Sequence, residues 1–116
     1  MRVINVSKNT VLAENARLAE GFFSRLKGLL GESGLTPGEC LIIKPCDSIH
    51  TFFMRFVIDV AFVNKENKII KIYACLKPGK LSGIFFNAAF CLELPSGTLS
   101  RTKTEEGNLI NIILDN

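Results

Sequence analysis

Short apolar runs separated by polar turns constrain the fold of this chain more than any other feature. The clearest are residues 57–64 and 68–75, which flank the polar turn 65–67. Short runs rich in β-branched and aromatic residues, bounded by turn residues, are typical of strands, and two such runs around a short turn predict a hairpin. The same pattern predicts further strands at residues 2–6, 10–13, 40–44, 88–94 and 108–114.

Helical periodicity is found in one stretch. Leu18, Phe22, Leu26 and Leu29 recur at spacings of four, four and three, which places them on one face of a helix. Later glycines suit the end of this helix, so a helix is predicted at about residues 19–30. Successive parallel strands need a crossover helix each, and a single helix therefore excludes a doubly wound parallel sheet.

These elements predict an α+β fold that is mostly β. We expect a small antiparallel or mixed sheet, open or curled into a small barrel, with the one helix packed on it. The chain has 116 residues, of which 47% are apolar and 22% charged, both close to the averages for globular domains. Residues 1–116 are accordingly expected to form a single domain.

Charge and hydropathy disfavour several classes of partner. A net charge of +3 is too small to predict nucleic-acid binding. The first ten residues lack the apolar core of a secretory signal, and no apolar run approaches the roughly 18 residues of a membrane helix. We expect a soluble cytoplasmic protein without a membrane partner, whose four cysteines are free thiols.

The segment CDSIHTFFM, residues 46–54, carries the first candidate site. It holds Cys46 and His50, the one histidine of the chain. A thiol beside an imidazole can ionise and attack an electrophile. A small buried cysteine and a hydrogen-bonded histidine at the start of a strand would account for the same residues, and the spacing alone leaves both interpretations open.

Two acidic residues in apolar strands are further candidates. Asp59 needs a partner, since an unpaired buried charge is costly. That partner is Arg55 if Asp59 forms a structural salt bridge, or His50 if Asp59 orients the imidazole. Glu93 alternates with Phe90, Leu92 and Leu94 on its strand, so it is either an exposed acid or, in a curled sheet, part of a pocket lining.

No motif for a metal or a cofactor is present. The cysteines at 40, 46, 75 and 91 include no Cys-x-x-Cys pair, which structural zinc sites usually have. The glycine-rich motifs of dinucleotide and phosphate sites are also absent. We therefore expect neither a metal nor a cofactor.

Four segments, RLKGLLG, CDSIHTFFMRFVIDVAFVNKENKIIKI, CLELPSGT and EEGNLI, resemble in this order the pattern of domain-of-unknown-function family 192. The resemblance runs over about residues 21–110. It implies a small, mostly β single domain of bacteria and archaea, and no particular reaction. Asn67 and Asn108 depart from the family's usual glycine and aspartate, and asparagine suits both turns. The family-type positions are Gly28, Cys46, His50, Thr51, Met54, Asp59, Glu93, Pro95 and Gly97.

Three functions follow from these observations. The favoured one is a binding module for a small molecule or a peptide end, with a pocket at residues 46–59 covered by the apolar loop 84–86. The second is a thiol- and histidine-assisted hydrolase with Cys46 as nucleophile, His50 as base and Asp59 or Glu93 as orienting acid. The third is a structural domain that forms a homodimer or partner interface through loop 84–86. The expected binding residues are His50, Thr51, Met54, Arg55, Asp59, Phe85 and Phe86.

Overall fold

The computed structural model describes residues 1–21, 29 and 32–115. These residues include one short helix, α1 (Thr98–Arg101). They also include eight strands: β1 (Arg2–Asn5), β2 (Thr10–Ala13), β3 (Asn15–Ala19), β4 (Glu39–Ile43), β5 (Ile58–Asn64), β6 (Ile69–Leu76), β7 (Ala88–Pro95) and β8 (Ile110–Ile113). The mostly β, α+β fold predicted from the sequence is confirmed.

The strands form two sheets. One has the order β2-β1-β8 and the other the order β3-β4-β7-β5-β6. All pairs are antiparallel except β3 with β4, which is parallel, so the larger sheet is mixed, as expected. Within the described residues β3 pairs only with β4 and β6 only with β5. The larger sheet therefore stays open, and the alternative of a single curled barrel was wrong.

Strand β3 corrects the predicted start of the helix. Leu18, the first residue of the predicted helical face, lies on this strand and is 44% exposed. The parallel ladder from the Asn15–Glu39 pair to the Ala19–Ile43 pair outweighs the local helical periodicity. Residues 22–28, 30 and 31, which hold most of the predicted helix, lie outside the described residues.

The larger sheet has a core on each face. Phe90, Leu92 and Leu94 of β7 lie in a first core cluster, together with residues of the three-stranded sheet. Cys91, between them, lies in a second core cluster on the opposite face. Because both faces are covered, every residue of β5 from 58 to 63 is buried, which confirms the sequence interpretation of this strand.

The predicted hairpin between β5 and β6 is present. Asn67 at its tip has φ 62°, and the side chain of Asn64 accepts hydrogen bonds from the amides of Glu66 and Lys68. Asparagine therefore takes a left-handed conformation, which it tolerates better than most residues with a side chain. In the ranges described above, no helix has the length and apolar character needed to cross a bilayer.

Candidate functional site

The segment 46–54 pairs with the loop 77–86 to form a layer over the second core cluster. Main-chain bonds join Thr51 N–H to Lys80 O (2.8 Å), Ser82 N–H to Ile49 O (3.0 Å) and Phe85 N–H to Asp47 O (2.8 Å). Leu81 faces His50 in an antiparallel bridge. The apolar loop expected near the segment thus lies directly against it.

Thr51 joins the two segments. Its side chain is fully buried, and its hydroxyl donates to Lys77 O (2.6 Å) and accepts from the Lys80 N–H (2.9 Å). Its carbonyl accepts from the Gly79 N–H (2.9 Å). The Thr51 hydroxyl therefore uses its hydrogen-bonding capacity on the main chain of the loop, and these bonds hold the Pro78–Gly79 turn in place.

His50 is exposed on this layer. Its ring stacks on Phe52, with ring centroids 5.3 Å apart and planes inclined by 28°. Among the hydrogen bonds of the described residues, none joins His50 to Cys46, Asp59 or Glu93. The structure therefore brings His50 to the aromatic surface and not to the other predicted catalytic residues.

Exposed apolar side chains line the same layer, and we call them the apolar rim: Phe52, Phe53, Leu81, Ile84 and Phe86. Phe53 is 89% exposed and Phe86 85% exposed. Phe53 also has φ 67°, a conformation that is uncommon for a bulky residue. Large apolar side chains exposed on adjacent segments are typical of interaction surfaces.

The Phe85–Phe86 pair has two different placements. The Phe85 ring is half-buried, with its centroid 4.9 Å from that of Phe62 and 6.3 Å from that of Tyr73. The Tyr73 hydroxyl accepts the Gly83 N–H (2.9 Å), and a Cβ at Gly83 would stand 3.0 Å from the Phe85 ring. Phe85 therefore anchors the loop to the sheet, while Phe86 faces solvent.

Asp59 is fully buried and binds main-chain amides. Its Oδ1 accepts from the Cys75 N–H (2.8 Å), and its Oδ2 accepts from the N–H groups of Gly97 (3.1 Å) and Leu99 (2.9 Å). The expected salt bridge to Arg55 is not among the contacts of the described residues, and Arg55 is exposed. Backbone amides from β6 and the start of α1 satisfy the carboxylate instead, so Asp59 ties these elements together.

Glu93 is buried at 3% exposure, and its Oε1 has no hydrogen-bond partner among the described residues. Burial raises the pKa of Glu93 to about 7, although the charge of Arg17 acts to lower it. Pairing across the sheet places Arg17, Leu41, Glu93 and Val60 in one row. The interpretation of Glu93 as an exposed acid was wrong, because β4 and β5 enclose its strand and the second core cluster covers this face.

Cys46 is partly buried and packs against the second core cluster, of which Cys91 is a member. The Cys46 N–H donates to Ala89 O (3.3 Å) and its Sγ to Ser48 O (3.2 Å). The neighbouring Cys91 thiol lowers the pKa of Cys46, while the Cys46 thiol and then burial raise the pKa of Cys91. Cys46 is therefore the thiol that ionises first.

Cys91 was missed in the sequence because it lies on a distant strand with no informative spacing to Cys46. The alternation along β7, which places Cys91 and Glu93 on one face, was the available signal.

Met54 is buried in the same cluster. Across the part of the chain that the structure describes, no three His, Cys, Asp or Glu side chains are grouped so that they could hold a metal ion.

A surface cavity of about 380 Å³ lies away from the candidate site. Its lining comes from β2 and the turn before β4, with Arg101 of α1 at its edge. The pocket expected from the sequence was at residues 46–59, so this cavity does not correspond to it. The lining residues are Val11, Leu12, Ala13, Glu14, Pro37, Gly38 and Arg101.

The two sheets, the short helix and the layer 46–54 define a small, mostly β protein with a single layer of loops over one core face. The chain belongs to the DUF192 family, described as an uncharacterized ACR family, whose model matches residues 3–112. The resemblance noted in the sequence is thereby confirmed over nearly the whole chain.

Individual relatives agree with this assignment. A UPF0127 protein of Pyrococcus horikoshii is 31% identical over 114 residues, covering 93% of this chain and 96% of its own. A UPF0127 protein of Pyrococcus furiosus is 29% identical over 112 residues, covering 91% and 93%. The crystal structure of a protein of unknown function from Novosphingobium aromaticivorans superposes with a TM-score of 0.80 at 18% identity, covering 96% of this chain and 82% of its own. The last similarity concerns the fold alone.

Proposed function

We propose that this protein binds an apolar, acidic peptide segment of a partner protein on the apolar rim. The observation that carries the proposal is the exposure of Phe53 and Phe86, at 89% and 85%, on two segments that are hydrogen-bonded to each other. Exposed aromatic side chains offer large contact area at a small entropic cost, which suits a peptide surface.

Charge around the rim indicates the acidic character of the peptide. Lys77 and Lys80 are exposed on the loop 77–86, Arg55 is exposed directly after the segment 46–54, and Asp47 is the acidic residue exposed on that segment. A positively charged border favours an acidic partner, since complementary charges increase the association rate and select among partners. The small net charge of +3 for the whole chain does not conflict with a local basic border.

The rim is held in its shape before binding. Thr51 fixes the 77–80 turn by its hydroxyl bonds, and the Phe85 ring packs on Phe62 below the loop. A surface that is ordered in the free protein loses less conformational entropy on binding. This supports recognition of an extended peptide by the rim, with His50 and Phe52 forming a stacked aromatic pair at its edge.

The experiment is selection from a phage-displayed library of random dodecapeptides on immobilised full-length protein, followed by fluorescence anisotropy with the enriched peptides. We expect sequences that combine Leu or Phe with Asp or Glu. Phe53→Ser together with Phe86→Ser should abolish binding. Leu114→Ser, which alters a side chain of 73% exposure away from the rim, is the matched control and should bind like the wild type.

Other occupants of the rim are separate outcomes of the same experiment. Vesicles of phosphatidylserine and phosphatidylcholine test a lipid surface, and sedimentation equilibrium tests a homodimer. The proposal is overturned if no peptide is enriched, if the double variant binds as well as the control, or if vesicle binding or dimerisation accounts for the effect of the two Phe substitutions.

A further inference from the structure

Three reactive groups meet at one place on the buried face of β7. Cys46 packs against the second core cluster, Cys91 lies inside it, and Glu93 follows Cys91 on the same face of the strand. Backbone pairing brings the two cysteines together. The Cys46 N–H donates to Ala89 O, and Cys91 pairs with Ile43 of β4, the strand that precedes Cys46.

The three groups differ in access to solvent. Cys46 is half-buried, Cys91 is fully buried, and Glu93 is buried with an unpartnered oxygen. The Cys46 thiol is accessible to a reagent in solution. The buried Cys91 thiol is not, so it can react only with the Cys46 sulfur. The carboxylate oxygen without a partner is free to accept a proton.

We propose that Cys46 and Cys91 form a redox-active dithiol that reduces small-molecule disulfides, with Glu93 accepting the proton of Cys91. This activity is independent of peptide binding at the apolar rim. The co-reactant is a low-molecular-weight disulfide, and the product is an intramolecular Cys46–Cys91 disulfide.

The reaction proceeds by two thiol–disulfide exchanges. The Cys46 thiolate attacks one sulfur of the small disulfide, so that a mixed disulfide forms and one small thiolate leaves. The Cys91 thiol then passes its proton to the Glu93 carboxylate and attacks the Cys46 sulfur, which breaks the mixed disulfide and releases the second small thiolate. Two electrons pass from the two cysteines to the small disulfide, and the two departing thiolates take up the two cysteine protons, one of them by way of Glu93 and solvent.

The electrostatics suit these roles. The neighbouring Cys91 thiol lowers the pKa of Cys46, as an attacking thiol requires. Burial places the pKa of Glu93 at about 7, where a carboxylate can both accept and release a proton at neutral pH. The ionisable groups near Glu93 on its own face of the sheet are Arg17 from β3, Cys46 from the segment after β4 and Cys91 from β7 itself. The Cys40 thiol of β4 lies in the first core cluster on the opposite face.

The experiment incubates the reduced full-length protein with glutathione disulfide, and counts thiols while peptide mapping locates the cross-link. We expect the four thiols of the chain to fall by two and the mapped disulfide to join Cys46 to Cys91. Cys75→Ser, which removes an exposed thiol, is the control and should leave the cross-link unchanged. If the wild-type protein forms a disulfide that involves Cys40 or Cys75, or forms no disulfide, the proposal is overturned. This outcome does not depend on any variant.

Variants separate the two steps. Cys91→Ala should stop at the mixed disulfide of Cys46 with glutathione, and Cys46→Ser should form no disulfide at Cys91. Glu93→Gln should slow the second step by about a hundredfold, as loss of a general base does, and should remove the pH dependence of that step near neutrality. It should not slow the first step, because loss of the Glu93 charge lowers the pKa of Cys46. If Glu93→Gln changes neither the rate nor the pH profile of the second step, the base role of Glu93 is overturned.

Discussion

Two buried carboxylates, Asp59 and Glu93, acquire opposite roles from the hydrogen-bond donors around them. They lie at neighbouring positions on adjacent strands, since Asp59 pairs with Leu94 and Val60 with Glu93. Asp59 receives three main-chain amides, whereas Glu93 Oε1 receives no hydrogen bond from the described residues. Asp59 therefore stabilises the fold, while Glu93 remains available for proton transfer.

Replacement of Asp59 by Ala should destabilise the protein strongly. Three main-chain amides lose their acceptor, among them the buried N–H of Leu99, and the expected loss in the free energy of unfolding is about 3 kcal/mol or more. Urea denaturation followed by circular dichroism measures it. Asp47→Ala alters an exposed carboxylate and should change stability by no more than about 0.5 kcal/mol; equal losses for the two variants would contradict the role given to Asp59.

Because of Glu93, the free energy of unfolding should decrease as pH rises toward 7, which is opposite to the effect of most carboxylates. Its pKa is raised from 4.5 to about 7 in the folded protein, so between these values the folded state holds a proton that the unfolded state has lost. Stability from this group is complete below pH 4.5, decreases as pH rises toward 7, and stays low above it. The change amounts to about 3 kcal/mol at most.

The Glu93→Gln variant tests this pH dependence. Unfolding free energies by urea denaturation at pH 5 and pH 8 should differ less in the variant than in the wild type. At pH 8 the variant should be the more stable of the two, because a neutral amide carries no ionisation penalty. A variant with the same pH profile as the wild type would show that Glu93 titrates alike in the folded and unfolded states.

At the scale of elements, the segment 46–54 and the loop 77–86 depend on each other. The loop is attached to the sheet by the Phe85 ring and to the segment by Thr51. Loops without regular structure are usually the least protected parts of a domain. Here the side-chain bonds of Thr51 give the loop the order that the rim needs.

Thr51→Val should loosen the loop more than it destabilises the protein. Loss of the hydroxyl leaves the Lys77 carbonyl and the Lys80 amide without their partner, at a cost of about 1–3 kcal/mol. Hydrogen exchange measured by mass spectrometry should become faster at Gly79 and Lys80 and stay slow in β5. Thr51→Ser retains the hydroxyl and should restore protection; exchange as fast as in the Val variant would contradict this role of the hydroxyl.

At the scale of the molecule, the three-stranded sheet joins the two ends of the described chain. Strand β1 lies between β2 and β8, and the buried Asn5 donates to Thr104 Oγ1 (2.9 Å) and Asn108 Oδ1 (3.0 Å). The Thr104 contact spans 99 residues of sequence. One amide therefore holds the first strand to the turn that leads into the last one.

Asn5→Ala should lower the free energy of unfolding by about 2–3 kcal/mol, because the buried Thr104 hydroxyl, the partly buried Asn108 side chain and the Lys8 amide lose their partner. Thermal unfolding followed by circular dichroism measures the loss. Asn87→Ala alters an exposed asparagine and serves as the control. A melting temperature unchanged by Asn5→Ala would show that strand pairing alone holds the two chain ends together.

Seven of the eight strands within the described residues, and the hairpin turn at Asn67, could be predicted from the sequence, because alternation and turn chemistry are local properties. Strand β3 could not, since its parallel partner β4 follows after an intervening stretch and the local pattern was helical. The segment 46–54 was correctly placed against the apolar loop 84–86. The side-chain partners within it were not predictable, because they depend on segments that come later in the chain.

Local patterns were thus sufficient for the fold class and the turns. The tertiary structure alone decided which side chains meet: Cys46 with Cys91 instead of His50, and Asp59 with amides as far as 40 residues away instead of Arg55. The physical reason is that the reactivity of a thiol or carboxylate follows from its burial and its hydrogen-bond partners. Those are set by the pairing of distant strands, which a local pattern does not encode.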